Sequence, residues 1–284
     1  QLRQAGYHCA LWGKSHLGEP QTYGFQEGKE TRGANDHLTF KLVDEFLARA
    51  ANDPQPFFLW IGVRQPHVPL LPEQQWLDLY DVADINLAPN FREKPLEDSV
   101  FNQSGSRDKT GYRDSKYTRN WKKLPAGPPR NADVMRDFTK AYYATISHLD
   151  DQVGQLMERM KELGLDKNTV IVFMSDNGYH LGTHGLGNKI TMHEESVRVP
   201  MFIHWEGLRA KGQRTDALTS SLDLYPTLLE LAGLELPTHL QGKSLVPVMN
   251  DSDAKVRDYV FSECIGGGGD PGEGHRMVRS DKWK

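Results

Sequence analysis

An apolar run that stops at an Asp-Asn pair is the feature of this chain that most restricts its fold. Residues 169–189 read TVIVFMSDNGYHLGTHGLGNK, so a stretch of strand length ends at Asp176 and Asn177 and a loop rich in Gly and His follows. In open α/β sheets, ligands bind in the crevice outside the carboxyl ends of the strands. A carboxylate beside an amide carbonyl is an oxygen pair of the kind that calcium or magnesium prefers. The pattern indicates a metal site, and a plain Asp-Asn-Gly turn is the alternative that this stretch leaves open.

The size and charge of the chain narrow the classes of protein to which it can belong. With 284 residues it is long enough for one large α/β domain or two smaller ones. Its 34 Lys and Arg against 38 Asp and Glu give a formal charge of -4, so no global basic field attracts nucleic acid. No apolar run approaches the roughly 20 residues that span a bilayer. The only cysteines, Cys9 and Cys264, indicate neither a zinc spacing nor a disulfide framework, and they leave a single disulfide open.

Strand-like and helix-like segments alternate along the chain and predict a mixed α/β sheet with helices on both faces. We assign this sheet to residues 1–235 and a smaller C-terminal strand and helix subdomain to 236–284. Residues 80–130 form a long insertion rich in Pro, Asn and charge, which is either functional or a solvated surface excursion. The predicted elements are strands at 7–12, 56–63, 169–174, 197–205, 258–264 and 275–284, and helices at 35–51, 135–163 and 221–234; the strand at 56–63 is expected to be covered on both faces.

Polar side chains occupy four loops that follow these strands or lie beside them. If the strand ends lie on one side of the sheet, the loops meet in a pocket with a cation, two ammonium groups and two imidazoles. Such a pocket suits sulfuryl or phosphoryl transfer, in which negative charge spreads over peripheral oxygens. Imidazoles supply proton transfers near neutral pH. No nucleophile is evident, and each residue alone is also compatible with an ordinary surface role. The residues are Lys14 with His16, His67, Asp176 with Asn177, and Lys189.

Five ordered segments of the chain together form a specific pattern: GYHCALWGKSHLG, PFFLWIGVRQPHVPLLP, AYYATISHLDDQVGQLMERMKELGLDKNTVIVFMSDNGYHLGTHG, NKITMHEESVRVPMFIHWEG and LDLYPTLLELAGLELPTHLQGKSL. These segments resemble the type I sulfatases of the alkaline phosphatase superfamily. Within that family they are most similar to iduronate-2-sulfatase-like glycan sulfatases, and the match spans nearly the whole chain apart from the 80–130 insertion. The resemblance implies an alkaline-phosphatase-like fold and hydrolysis of sulfate esters, with a sulfated saccharide as the expected partner.

The same resemblance implies a role for each residue of the predicted pocket. Asp176 and Asn177 are expected ligands of Ca²⁺, with Mg²⁺ less expected. Lys14 is expected to bridge the sulfate and the nucleophile, while His16 holds or deprotonates the nucleophile's hydroxyl. His67 and Lys189 are expected to bind the sulfate ester, and His67 to protonate the leaving alcohol.

Other residues are interpreted as contacts or as scaffold. His180 and His184 are interpreted as substrate contacts, with a structural loop role as the alternative. Arg119 and Trp121 of the insertion, near Tyr112 and Tyr117, suggest sulfate contacts and sugar stacking. Glu194, Glu195 and Arg198 match a family pattern, and an ion-paired scaffold is the favoured interpretation of these three.

The sequence departs from the family at the nucleophile. These sulfatases use a formylglycine made from Cys or Ser in a C/S-x-P-S-R-type motif near the N-terminus, and an Asp pair on the first strand completes their metal site. Neither feature is in this sequence, and neither Cys9 nor Cys264 fits the motif. We therefore expect both upstream of Gln1, so that the chain as given is N-terminally truncated, exposes an apolar flank of its sheet, binds calcium poorly and does not turn over substrate.

Two alternatives to a sulfatase remain open at this stage. One is a phosphate or phosphonate monoester hydrolase of the same superfamily, although two lysines favour sulfate because a single-metal site needs organic cations to balance the ester. The other is a catalytically dead, glycan-binding pseudoenzyme. The family resemblance implies a secreted, periplasmic or lysosomal protein, and the sequence indicates no particular oligomeric state.

Overall fold

The computed structural model describes residues 1–31, 35–93, 131–189, 191–208, 212–264 and 274–284. Most of the predicted insertion, with Arg119 and Trp121, lies outside these ranges. The strands are β1 (His8–Gly13), β2 (Glu27–Lys29), β3 (Phe57–Gly62), β4 (Ile171–Met174), β5 (His180–Leu181), β6 (Gly187–Asn188), β7 (Met201–His204), β8 (Val260–Cys264) and β9 (His275–Arg279). The helices are α1 (Asp36–Ala50), α2 (Gln74–Leu77), α3 (Ala132–Glu162), α4 (Glu194–Val197), α5 (Leu224–Leu231) and α6 (Val246–Asn250).

Parallel and antiparallel strands are both present, as the predicted mixed α/β class requires. The order β2-β1-β3 forms a parallel sheet in which β1 and β3 run in register from His8 opposite Phe57 to Gly13 opposite Gly62. A second pair joins β4 to β7 in antiparallel fashion, and the described strands show no hydrogen bonding between the two sheets. Because β1 and β3 are parallel, their carboxyl ends lie at the same edge.

The long helix α3 holds the two halves of the predicted pocket together. It begins where the side chain of Asn131 accepts a hydrogen bond from the backbone N–H of Val134, and Gly164 follows its end with a φ of 69°. Near its C-terminal end, Met160 packs with Val43, Phe46 and Leu47 of α1 and with Ala10 of β1. Near its start, Met135, Phe138 and Ala141 pack against Leu70, Val68, Tyr179 and Leu181. The helix therefore contacts both the segment after β3 and the segment after β4.

One expectation about β3 is wrong. The strand was expected to be covered on both faces, but Trp60 is 48% exposed. Phe57, Leu59 and Ile61 pack onto the hydrophobic cluster around α1. Successive side chains of a strand point to opposite faces, so Trp60 lies on the other face, which the described residues leave partly open.

The C-terminal segments are attached to the rest of the chain through a buried carboxylate. Asp223, just before α5, is 0% exposed, and it accepts hydrogen bonds from the backbone N–H groups of Ser220 and Lys243 and pairs with Arg257. Strands β8 and β9 pair antiparallel, which confirms the two predicted late strands. The contacts of Asp223 cross the predicted boundary, so the division after residue 235 stays a prediction.

Two further features bear on the expectations from composition. Cys9 and Cys264 are both free thiols, so the single disulfide that the sequence left open does not form. Among the helices in the described ranges, none combines the length and the apolar character that crossing a bilayer requires.

Candidate active site

Two glycines bring the ends of β1 and β3 into close contact. The backbone N–H of Lys14 donates to the carbonyl of Gly62 at 2.7 Å. A Cβ on Gly13 would lie 2.0 Å from the carbonyl oxygen of Gly62, and a Cβ on Gly62 would lie 1.8 Å from that of Lys14. No side chain fits at either position. The loop that carries Lys14 and the loop that leads to His67 therefore leave the sheet side by side.

Lys14 reaches from β1 to the end of β4. Its Nζ lies 3.2 Å from Oδ2 of Asp176, and its side chain is 16% exposed. Burial by itself would raise the pKa of Asp176, but the charge and hydrogen bond of Lys14, helped by the charge of Lys189, hold that pKa below its usual value. Asp176 is therefore ionised at neutral pH and serves as the counter-ion of Lys14.

Lys189 enters the same site from the β5–β6 hairpin. It follows β6 directly, and β6 pairs with β5 so that His180 lies opposite Asn188. Burial lowers the pKa of Lys189; the carboxylate of Asp176 opposes this shift, and the charge of Lys14 adds to it. Lys14 contacts the carboxylate of Asp176, and the charge of Lys189 also acts on it. One carboxylate does not neutralise two ammonium groups, so positive charge is left for an anion.

His67 is held with a defined tautomer beside these lysines. Its Nδ1 contacts the carbonyl oxygen of Val68, which can only accept, so Nδ1 carries the proton and Nε2 remains for a ligand. Burial lowers the pKa of His67; the hydrogen bond to Val68 opposes the shift, and the charges of Lys189, Arg64 and Lys14 add to it. The charges of Lys14 and Lys189 thus act on both His67 and Asp176, which brings one residue from each of the four predicted loops into the same site.

His16 does not join this cluster. It lies exposed in the loop after β1 with a φ of 60°, and its backbone N–H donates to Oε1 of Glu30 at 2.8 Å. Within the part of the chain that the structure describes, no hydrogen bond or ion pair joins the His16 ring to Lys14, His67 or Lys189. Its predicted role at a nucleophile is left untested.

The oxygen donors of the cluster fall short of a calcium site. Calcium takes six to eight oxygen ligands. Asp176 is already paired with Lys14, and the side-chain amide of Asn177 donates to the carbonyl of Gly178 at 2.8 Å. No group of three or more His, Cys, Asp or Glu suited to a metal ion occurs among the described residues. The donor set present does not complete the predicted metal centre.

His180 has a different place from the one expected. It is 0% exposed, with Nδ1 2.8 Å from Oγ1 of Thr183 and Nε2 2.9 Å from Oγ1 of Thr191. Burial, opposed by the charge of Glu195 and assisted by those of His193 and His184, lowers the pKa of His180 to about 4. A buried neutral imidazole with both nitrogens bonded cannot touch a substrate. The predicted substrate contact is therefore corrected to the structural alternative: His180 is a structural residue at the centre of the loop that ends at Lys189.

His184 lies half-buried in the same loop, beside a histidine that was not predicted. Its Nε2 is 3.2 Å from Oε1 of Glu195 and 3.1 Å from Nδ2 of Asn90, and its ring stacks on that of His193 with centroids 4.3 Å apart. These residues border an open cleft of about 660 Å³, which Arg276 and Lys284 also line. The recurrence of His within residues 180–193 was the available signal for His193.

The acidic residues after the loop act partly as the expected scaffold. Glu194 pairs with Arg279 at 2.7 Å and with Lys284 at 2.8 Å, and Glu195 is held by Asn90 at 2.9 Å. Arg198 donates its backbone N–H to the carbonyl of Glu194. The ion pairs of Glu194 connect β9 and the C-terminal residue Lys284 to the segment that follows Lys189.

Comparison with known proteins places this arrangement in a family. The sulfatase family model matches residues 1–234. The chain belongs to the sulfatase family. The resemblance noted in the sequence is thereby confirmed.

Two relatives of this sulfatase chain illustrate the match. A sulfatase of Formosa agariphila is 33% identical over 230 residues, which cover 80% of this chain and 42% of that protein. The iduronate 2-sulfatase of Mus musculus is 30% identical over 217 residues, which cover 67% of this chain and 38% of that protein. The chain spans less than half the length of either relative.

Solved structures confirm the alkaline-phosphatase-like α/β fold of the sulfatase chain. One was determined in complex with its substrate D-glucosamine-2-N,6-O-disulfate; it has a TM-score of 0.75 and 22% identity, covering 98% of this chain and 70% of that one. Another is the phosphonate monoester hydrolase of Silicibacter pomeroyi, also with a TM-score of 0.75 and 22% identity, covering 98% of this chain and 69% of that one.

Proposed function

We propose that this chain is the part of a sulfatase that binds the sulfate group of a sulfated saccharide and assists hydrolysis of its ester. The observation that carries the proposal is the contact of Lys14 with Asp176, together with the charges of Lys14 and Lys189 acting on His67. Two buried or half-buried ammonium groups against a single counter-ion favour an anionic ligand. Sulfatases and a glucosamine-disulfate complex among the similar proteins support a sulfated saccharide as the ligand class.

In this proposal, the lysines and His67 divide the chemistry between them. Lys14 and Lys189 bind the sulfate oxygens and stabilise the negative charge that develops as the S–O bond to the sugar breaks. The leaving oxygen then needs a proton, and Nε2 of His67 is the ring atom that faces the ligand, since Nδ1–H is bonded to Val68. The negative charge of a bound sulfate offsets the two ammonium groups, which raises the pKa of His67 and favours its protonated form.

Only the family resemblance supports the proposed calcium ion and formylglycine. Asp176 and Asn177 would supply two oxygens to a calcium ion, and the described residues supply too few others to complete its shell. The C/S-x-P-S-R-type motif is absent from the sequence. We therefore propose that residues beyond this sequence supply the nucleophile and the remaining metal ligands. We also propose that the parent protein is secreted, periplasmic or lysosomal.

The test compares the parent protein, with its formylglycine formed, with the 284-residue chain alone. Sulfated saccharides, aryl sulfates and phosphonate monoesters are offered to both, and sulfate or phosphonate release is measured. We expect sulfate release from the parent protein only, with Lys14→Ala and Lys189→Ala each reducing it by roughly 10²–10³-fold. Release of sulfate by the isolated chain would refute the division of labour proposed above.

A second candidate is phosphonate or phosphate monoester hydrolysis, which the phosphonate monoester hydrolase among the structural neighbours favours. Both reactions use fixed positive charge around an oxyanion, so a site formed by Lys14, Lys189 and His67 suits either. Turnover of phosphonate monoesters without sulfate release would select this candidate. Tight binding of a sulfated saccharide without any turnover by the parent protein would select the glycan-binding pseudoenzyme instead.

A further inference from the structure

Asp36 makes an unusual pair of contacts with the loop that carries His67. It is the first residue of α1 and is 4% exposed. Its Oδ1 accepts from the backbone N–H of Arg64 and its Oδ2 from that of Gln65, both at 2.9 Å. A carboxylate at the start of a helix commonly interacts with its own first turn. Here both oxygens accept from a segment 28 and 29 residues further along the chain.

From these two N–H groups, a short series of hydrogen bonds leads to the imidazole. The carbonyl of Arg64 accepts from the backbone N–H of His67 at 2.8 Å. The guanidinium of Arg64 donates to the carbonyl of Val68 at 2.7 Å. Nδ1 of His67 donates to that same carbonyl. Asp36 therefore holds the backbone of Arg64, whose carbonyl orients the backbone of His67 and whose guanidinium orients the acceptor of the His67 ring proton.

We propose that Asp36 is a positioning residue for His67, which it reaches through the backbone of Arg64 and Gln65 without touching the ligand. This deepens the proposed function and rests on it, since the orientation of His67 matters only if its Nε2 meets a ligand. Hydrogen bonds from N–H groups to an ionised carboxylate are stronger than neutral ones, and two of them fix a peptide segment in angle as well as in place. Small misplacements of a reacting group are costly in rate.

A matched control exists elsewhere in the chain. Asp223 is likewise buried and likewise accepts two backbone N–H groups, from Ser220 and Lys243, but it lies at α5 and contacts Arg257 instead of the His67 loop. Asp36→Ala removes both acceptor oxygens from its buried N–H groups, Asp223→Asn removes one of two, and both substitutions lower stability. Only Asp36→Ala is expected to change the tautomer of His67.

The experiment measures the protonation of the His67 ring directly. Imidazole ¹⁵N shifts, assigned by their loss in His67→Gln, report which ring nitrogen carries the proton, and titration with inorganic sulfate reports the affinity of the pocket. In the wild-type chain and in Asp223→Asn, we expect the proton on Nδ1. In Asp36→Ala we expect a mixture of tautomers and sulfate affinity weakened roughly tenfold. Asp36→Asn keeps one acceptor oxygen and is expected to give intermediate values.

Two outcomes would overturn the assignment of Asp36. One is an unchanged His67 tautomer and sulfate affinity in folded Asp36→Ala; the other is an equal change in Asp223→Asn, which would reduce the effect to general loss of stability. The tautomer comparison also separates this inference from the proposed function. If the wild-type chain binds no sulfate, the proposed function loses its support, while the ¹⁵N shifts still decide whether Asp36 orients His67.

Discussion

The Nζ of Lys14 lies 3.2 Å from Oδ2 of Asp176, so two residues 162 positions apart meet at the ends of strands that belong to different sheets. Lys14 follows β1, and Asp176 follows β4. Packing of α3 against segments near both strands holds the two ends together. The proposed oxyanion site is therefore a tertiary feature, and changes in backbone packing at the strand ends should disturb it.

Substitutions at two glycines, Gly62 and Gly154, test whether the site depends on the close approach of β1 and β3. Gly62→Ala places a Cβ 1.8 Å from the carbonyl oxygen of Lys14, so strands β1 and β3 must separate at their ends. We expect the free energy of unfolding, measured with urea, to fall by about 3 kcal/mol. Gly154→Ala in α3 meets nothing within 4 Å. It should raise stability by about 0.5–1 kcal/mol, because Ala is the better helix former. Equal effects of the two substitutions would argue against the close approach.

The neutral state of His180 predicts a loss of stability in mild acid. Its pKa is about 4 in the folded chain, mainly because of burial, and 6.5 is the ordinary value. The unfolded chain therefore binds more protons between these values, so stability is present above about pH 6.5 and is lost as the pH falls toward 4. We expect about 2 kcal/mol less stability at pH 5 than at pH 7 from this group.

His180→Gln provides the comparison for that pH dependence. The substitution removes the titrating group, so the variant should be less stable than the wild type at pH 7 and should show a shallower fall between pH 7 and pH 5. Part of the fall should remain, since burial also lowers the pKa of His67 and His193. An unchanged pH slope in urea denaturation would show that His180 is not held neutral.

The buried ion pair of Asp223 and Arg257 should contribute strongly to the stability of the chain. The carboxylate is 0% exposed, so Arg257→Ala leaves a buried charge without its partner. We expect the free energy of unfolding to fall by about 3–5 kcal/mol. Lys255→Ala removes an exposed pair with Asp258 from the same segment and should have no measurable effect. A small loss in Arg257→Ala, similar to the control, would contradict this account of how the C-terminal segments attach.

Regular elements with a strong apolar pattern were predictable from the sequence. The three- and four-residue spacing of apolar residues predicted α3, and the apolar runs predicted β1, β3 and β4, since burial of a stripe or a face is a local signal. The hairpin β5–β6 was not predicted, because each strand has two residues and the turn forms around His180. The exposure of Trp60 depends on which neighbours cover β3, and no local pattern reports that.

The sequence predicted which residues belong to the candidate site better than it predicted their spatial arrangement. Polar residues after strands indicated Lys14, His67, Asp176 and Lys189, and parallel strands explain why two of their loops share an edge. Asp36 carried no such signal, because an acidic residue at a helix start is ordinary and its partners lie on another loop. The structural place of His180 was likewise hidden, since the sequence does not show burial of a loop histidine.

Sulfate binding by the 284-residue chain is the most direct test of the proposed oxyanion site. Inorganic sulfate is titrated by calorimetry at constant ionic strength into the wild type, Lys14→Ala, Lys189→Ala and the exposed helix variant Lys161→Ala. We predict that each of the first two substitutions weakens binding roughly tenfold, as loss of a charged hydrogen bond would, and that Lys161→Ala leaves it unchanged. Equal affinity in all four proteins would contradict the claim that Lys14 and Lys189 meet around one anion.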